Sequence, residues 1–180
     1  MKQKYELKNV QAFVQEELLN GVWIVLHKVK RIPPHLALLV NGKYFSLSVN
    51  GLEKNLDALN VFNISVQKKA NDVFIKIKGE NADVILADTC YSNDLHLNDG
   101  SLTCLVPLKL FLEKYTGISL VNANYIFEVI KTNGIEIEKV MQLNADALME
   151  GNSLFLPAYT MEEIRNCIGK LNARKLATSV

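Results

Sequence analysis

The spacing of apolar and polar positions changes several times along this chain, and each change marks an element. Between Leu7 and Leu19, Val10, Phe13, Val14 and Leu18 fall at helical spacing, with Gln11, Gln15 and Glu16 elsewhere. This predicts a first helix stopped by Asn20-Gly21. Val22 to Val29 is then apolar and β-branched, with polar residues only at its end, which predicts a buried strand. Lys30-Arg-Ile-Pro-Pro34 breaks it. His35–Val40 and Lys43–Val49 flank Asn41-Gly42, the signature of a type I′ hairpin, because both central residues of that turn need positive φ. Asn50-Gly51 ends the second strand, and Leu52–Leu59 predicts a short helix.

Val61–Gln67 and Asp72–Lys78 predict two further strands, the second with one wet face, and Asp83–Ala87 predicts a short one. Residues 88–101 are polar and predict a surface loop. A helix is expected from about Thr103 to Tyr115, stopped by Thr116-Gly117, and another over Asn124–Thr132, closed by Asn133-Gly134. Ile135–Leu143 alternates in the manner of an exposed strand. Thr160-Met-Glu-Glu163 is a capping box, opening a helix that carries Ile164, Ile168 and Leu171 before a frayed tail at 173–180. Together these elements predict an α+β fold in a single domain over residues 1–180, with a central, mostly antiparallel sheet and flanking helices.

Composition narrows the function more than it names it. The 180 residues are 49% apolar and 22% charged, a globular balance. A formal net charge of +1, from 20 basic and 19 acidic residues, gives no footprint for nucleic acid. No apolar run has the length of a membrane span. The N-terminus lacks the apolar stretch of a signal peptide, so a cytoplasmic, reducing location is expected. The three cysteines, Cys90, Cys104 and Cys167, show no CxxC spacing and predict no disulfide framework. Nucleotide-binding glycine motifs, HExxH and GxSxG are absent, and no cofactor is expected. Asp88, Cys90, Asp94, His96, Asp99 and Cys104 gather ligand types without the tight pairs of a zinc site; ordinary loop chemistry accounts for them better.

Two residues carry the chemistry. Pro107 belongs in the first turn of a helix, where its missing N–H is not needed, so Cys104 lies at, or within a residue or two of, that helix's N-terminus. The positive end of the helix dipole favours a thiolate there, as a nucleophile requires. The plainer alternative is a small buried residue under a helix end. His35 opens an apolar strand behind Pro33-Pro34, and its plainer alternative is a polar strand end. His27 reads as the wet end of the preceding strand and His96 as a solvated loop residue. Cys167 is expected to be buried and inert, and Cys90 to lie in or beside a loop.

The order strand, proline-broken loop, His35, Asn-Gly hairpin, further strands and then Thr103-Cys104 opening an amphipathic helix resembles the circularly permuted papain-like fold. That fold occurs in relatives of the NlpC-type peptidases and of lecithin retinol acyltransferase. The resemblance spans roughly residues 22–132. It implies a cysteine-dependent hydrolase or acyltransferase acting on an amide, ester or thioester carbonyl of a small-molecule or peptide substrate. Cys104 would be the nucleophile and His35 the general base. The polar residue that family members place after the His strand has only Ser46, Ser48 and Asn50 as candidates here, and Asn50, whose carbonyl can orient an imidazole, takes that role. The missing carboxylate supports the alternative, a non-catalytic α+β module that binds a protein partner or small ligand.

Overall fold

The computed structural model describes residues 4–92 and 103–177. The first helix expected from the spacing is absent. In its place stand β1 (Lys4–Leu7), β2 (Val10–Ala12) and a 3₁₀ turn at Gln15–Leu19. Asn9, at φ 54°, turns the chain between the two strands, which hydrogen-bond into different sheets. In this stretch only Leu7 and Leu18 are buried, so the apolar spacing that mimics one helix face is divided among separate contacts.

The next three strands follow the sequence pattern. β3 (Val22–His27), β4 (His35–Val40) and β5 (Lys43–Ser48) form an antiparallel meander, and Asn41 and Gly42 take the positive φ values, 46° and 75°, that the hairpin turn demands. β6 (Gly51–Asp57) extends the meander where a short helix was the expectation. Lys54 and Asn55 together oppose Phe45, a β-bulge with Asn55 at φ 56°. The expected strand at Val61–Gln67 is instead part of α1 (Ala58–Gln67), because Asp57 caps it by accepting the Asn60 N–H at 3.1 Å. Ala58 and Phe62, one turn apart, are its buried side chains.

β7 (Asp72–Ile77) forms as expected. The expected strand at Asp83–Ala87 is α2 (Val84–Cys90), again started by an aspartate: Asp83 accepts the Ile85 N–H at 2.8 Å. Part of the expected polar loop is thus helical, and residues 93–101 of it lie outside the described residues. α3 (Leu105–Thr116) ends at Gly117, whose φ of 71° is the left-handed stop read from the sequence. The expected Asn124–Thr132 helix shrinks to one turn, α4 (Ile126–Val129). β8 (Ile137–Leu143) buries Val140 and Met141 and is not a wholly exposed strand, since it lies between β2 and β7. β9 (Met149–Glu150) and β10 (Ser153–Pro157) follow. α5 (Met161–Ala177) opens on the expected capping box and continues into the stretch expected to fray, of which residues 178–180 lie outside the described residues.

The main sheet has seven strands in the order β2-β8-β7-β3-β4-β5-β6, antiparallel except for the β2–β8 pair, and β1, β10 and β9 form a smaller sheet. Alternation along the strands divides the core in two. Ile24, Leu26, Leu36, Leu38, Phe45, Leu47 and Ile75 face α2, α3, α4 and the small sheet. Trp23, Val25, Ala37, Leu39, Tyr44 and Phe74 face α1 and Leu18. The fold is α+β, a large and mostly antiparallel sheet with helices on both faces. Among the described residues no helix is long and apolar enough to cross a membrane.

Candidate functional site

The polar end of the α1 face holds the densest chemistry among the described residues. His27 closes β3 and His35 opens β4, directly paired across the ladder. Their rings stack at 5.9 Å between centroids. On β5, Ser46 pairs with Ala37, so the period of two places Ser46 and Tyr44 on the same face as His35. His35 Nε2 and Ser46 Oγ are hydrogen-bonded at 2.8 Å. His27 Nε2 and the Tyr44 hydroxyl are 3.1 Å apart, the hydroxyl donating when Nδ1 carries the ring proton. Phe62 of α1 closes the cluster, its ring parallel to that of His27 within 12°.

Asp72, the first residue of β7, is wholly buried beneath this cluster. Its Oδ1 accepts the Lys28 N–H at 3.1 Å, a contact that Lys28 reaches by turning to φ 55° after β3. Its Oδ2 lies 3.1 Å from His27 Nδ1, out of line for a hydrogen bond, so that contact is electrostatic. Burial, with repulsion from His27 and Lys28 acting in the same direction, lowers the His35 pKa to about 4 against the opposing pull of Asp72. His35 is therefore a neutral imidazole at neutral pH. Burial likewise pushes the Tyr44 hydroxyl up.

Cys104 belongs to the other face. It is the N-cap of α3, where Pro107 predicts it, and it packs against the cluster that contains Leu36. Desolvation pushes the thiol up to about 11, and the N–H groups of Leu36 and of Cys104 itself, which face the sulfur, oppose this without winning. The expectation of an activated thiolate thus meets a half-buried residue whose environment favours the neutral form. Cys90 is the last residue of α2 and is buried, and burial raises its pKa as well. Cys167 is half-buried on α5 and not fully enclosed as the sequence suggested.

The structure therefore brings His35 together with Ser46, His27, Tyr44 and Asp72, while Cys104 packs against the apolar cluster on the other face of the sheet. Asn50 stands exposed in the β5–β6 turn, its N–H bonded to Ser48 Oγ at 3.2 Å, and the partner of the imidazole is Ser46. The signal for Ser46 was present in the sequence. An Asn-Gly two-residue turn pairs Val40 with Lys43, which puts Ser46 opposite Ala37 and diagonal to His35. Asp72 carried no local signal, because its burial depends on three strands meeting. Among the described residues no group of three metal-ligating side chains comes together, and Asp94, His96 and Asp99 lie outside them. Asp88 pairs with Lys54 at 3.1 Å. Two shallow grooves, one along Lys78, Tyr115 and Glu136 and one along Lys4, Met149 and Phe155, reach neither His35 nor Cys104. No family model matches the chain, and no curated protein or solved structure matches it.

Proposed function

We propose that this protein is a non-catalytic α+β module that acts by binding a protein partner. The observation that carries this reading is the assignment of His35 and Cys104 to opposite faces of the main sheet. A general base must come within hydrogen-bond reach of its nucleophile. Here the imidazole is held by Ser46, and the thiol sits against a strand backbone in surroundings that keep it protonated. The order of His strand, hairpin and Cys helix resembles that of a permuted papain-like hydrolase, and in this reading such a scaffold persists without its chemistry. A protein partner suits the surface better than a small ligand. The grooves are shallow, whereas large apolar side chains such as Ile85, 76% exposed, and Val121, 72% exposed, stand free of the core.

One observation favours a second reading, a cysteine-dependent hydrolase or acyltransferase. Cys104 caps α3, and its sulfur faces the N–H of Leu36, the residue after His35. In that reading His35 exchanges Ser46 for the thiol when substrate binds. Incubation with p-nitrophenyl acetate, followed by mass spectrometry of the intact chain, decides between the two. The binding module leaves Cys104 without an acyl adduct above the level of the other thiols. A stoichiometric adduct on Cys104 that disappears in His35→Ala would establish the hydrolase and end the first reading.

A further inference from the structure

We infer that Asn133-Gly134, in the turn between α4 and β8, is a self-modifying site: its side-chain amide is lost and a carboxylate takes its place. The inference goes beyond the binding reading and does not depend on it. Four Asn-Gly steps punctuate the chain, at Asn20, Asn41, Asn50 and Asn133. All four asparagines are exposed, so exposure does not rank them. A glycine after asparagine has no Cβ to shield its nitrogen or to resist the backbone rotation that brings that nitrogen onto the side-chain carbonyl. The glycine nitrogen then attacks the asparagine Cγ. A C–N bond forms, the glycine N–H proton passes to water, and the side-chain nitrogen takes up a proton and departs as ammonia. Water opens the resulting five-membered imide at either carbonyl and leaves aspartate or isoaspartate.

Hydrogen bonds decide which of the four steps is free to react. One contact guards two of them. The Gly21 N–H donates to Asn41 Oδ1 at 2.9 Å, which occupies both the nucleophile of the Asn20 step and the carbonyl of the Asn41 step. Asn41 Nδ2 also donates to the Ala82 carbonyl at 2.8 Å, so that carboxamide is held at both ends. At Asn50 the backbone is fixed on either side: the Asn50 N–H donates to Ser48 Oγ at 3.2 Å, and Gly51 is the ladder partner of Ser48. Asn133 differs. The Ile135 N–H donates to the Thr132 carbonyl at 3.0 Å and closes a turn with Asn133 and Gly134 in its middle, Gly134 at φ 94°. Among the described residues, neither the Asn133 carboxamide nor the Gly134 N–H has a hydrogen-bond partner. Gly134 lines the groove of Lys78, Tyr115 and Glu136, so the new carboxylate adds a negative charge beside the Lys78–Glu136 pair, whose charged atoms are 2.7 Å apart.

The test is incubation of the full chain in mildly alkaline buffer, folded and in urea, with the four sites followed separately by peptide mass spectrometry. In urea the four steps share one local chemistry and convert at similar rates. In the folded chain Asn133 is expected to convert about tenfold faster than Asn20, Asn41 or Asn50, because each of those must first give up a hydrogen bond or distort a paired turn. The formal net charge of +1 falls by one as Asn133 reacts, and isoelectric focusing shows the acidic form accumulating. Asn133→Gln, whose longer side chain closes the ring poorly, is expected to remove most of that form. Equal folded rates at all four sites would show that these hydrogen bonds do not select the site, and would overturn the inference. An Asn133 slower than any of the other three in the folded chain, or unreactive there while it reacts in urea, would overturn it equally.

Discussion

The two faces of the seven-stranded sheet solve one burial problem in different ways. The face under α2, α3 and α4 is apolar from end to end, built from residues such as Ile24, Leu38, Phe45, Leu108 and Phe111. The face under α1 is apolar around Trp23 and Phe74 but carries His27, His35, Tyr44, Ser46 and Asp72 at one end. A dry layer that loses one side chain loses contacts and gains a cavity. A buried polar cluster that loses one member also leaves its former partners without bonds in a medium that cannot solvate them. The α1 face is therefore the more sensitive of the two to single substitutions and to pH.

The largest effect is expected at Asp72. Asp72→Ala strips the Lys28 N–H of its acceptor and leaves His27 beside an empty site, so urea unfolding should show a loss of about 3–5 kcal/mol. A loss under about 1 kcal/mol would mean that the cluster is not coupled. Next comes pH. The folded pKa of His35, about 4, is depressed below its ordinary 6.5, so between those values the unfolded chain takes up a proton that the folded chain refuses. Its contribution is fully present above pH 6.5 and is lost as pH falls toward 4, by about 3 kcal/mol in all. Unfolding midpoints measured from pH 4 to 7 should slope less steeply in His35→Gln than in wild type. Equal slopes would remove the polar cluster as the source of acid sensitivity.

Three smaller effects sharpen the contrast. On the dry face, Cys104→Ser places a hydroxyl among apolar neighbours and should cost about 2 kcal/mol, more than its helix-capping gain returns. On the polar face, Ser46→Ala leaves one nitrogen of a neutral imidazole unpaired and should cost about 1 kcal/mol. The dry face also has a flaw of its own: the Tyr91 hydroxyl is wholly buried with no hydrogen-bond partner among the described residues. Tyr91→Phe should raise the melting temperature, with a gain of up to ~1 kcal/mol. A loss there would reveal a bond to the hydroxyl that the static structure does not contain.

Elements written in local chemistry were legible from the sequence: the Asn41-Gly42 hairpin, the apolar run of β3, the Pro107 and Gly117 limits of α3, and the Thr160 capping box. The N-terminal segment was misread because Val10, Phe13 and Leu18 keep a helical spacing while tertiary pairing draws β1 and β2 into separate sheets. α1 and α2 were misread as strands because their β-branched residues outweighed single aspartate caps, Asp57 and Asp83, that decide both helix starts. For the site, spacing placed Cys104 at a helix start and His35 at a strand start, and both positions hold. What spacing does not show is which face each side chain takes. That depends on strand register, since one step along a strand reverses the face. The burial of Asp72 depends on β3 and β8 flanking β7, which no local pattern announces.

The bulge at Lys54 and Asn55 acts beyond its own strand. β6 is the last strand of the main sheet, and its outer row of N–H and C=O groups faces no partner strand within it. A straight, flat strand in that position is a template on which a second molecule can add its own, and sheet can grow from chain to chain. Asn55, turned to φ 56°, interrupts that row midway, and Lys54 sets a charge beside it, tied to Asp88 at 3.1 Å. An incoming strand would have to match the same irregularity to stay in register. The small kink that spoils the regular pairing of β6 with β5 thus makes that open side a poorer template for a second copy's strand.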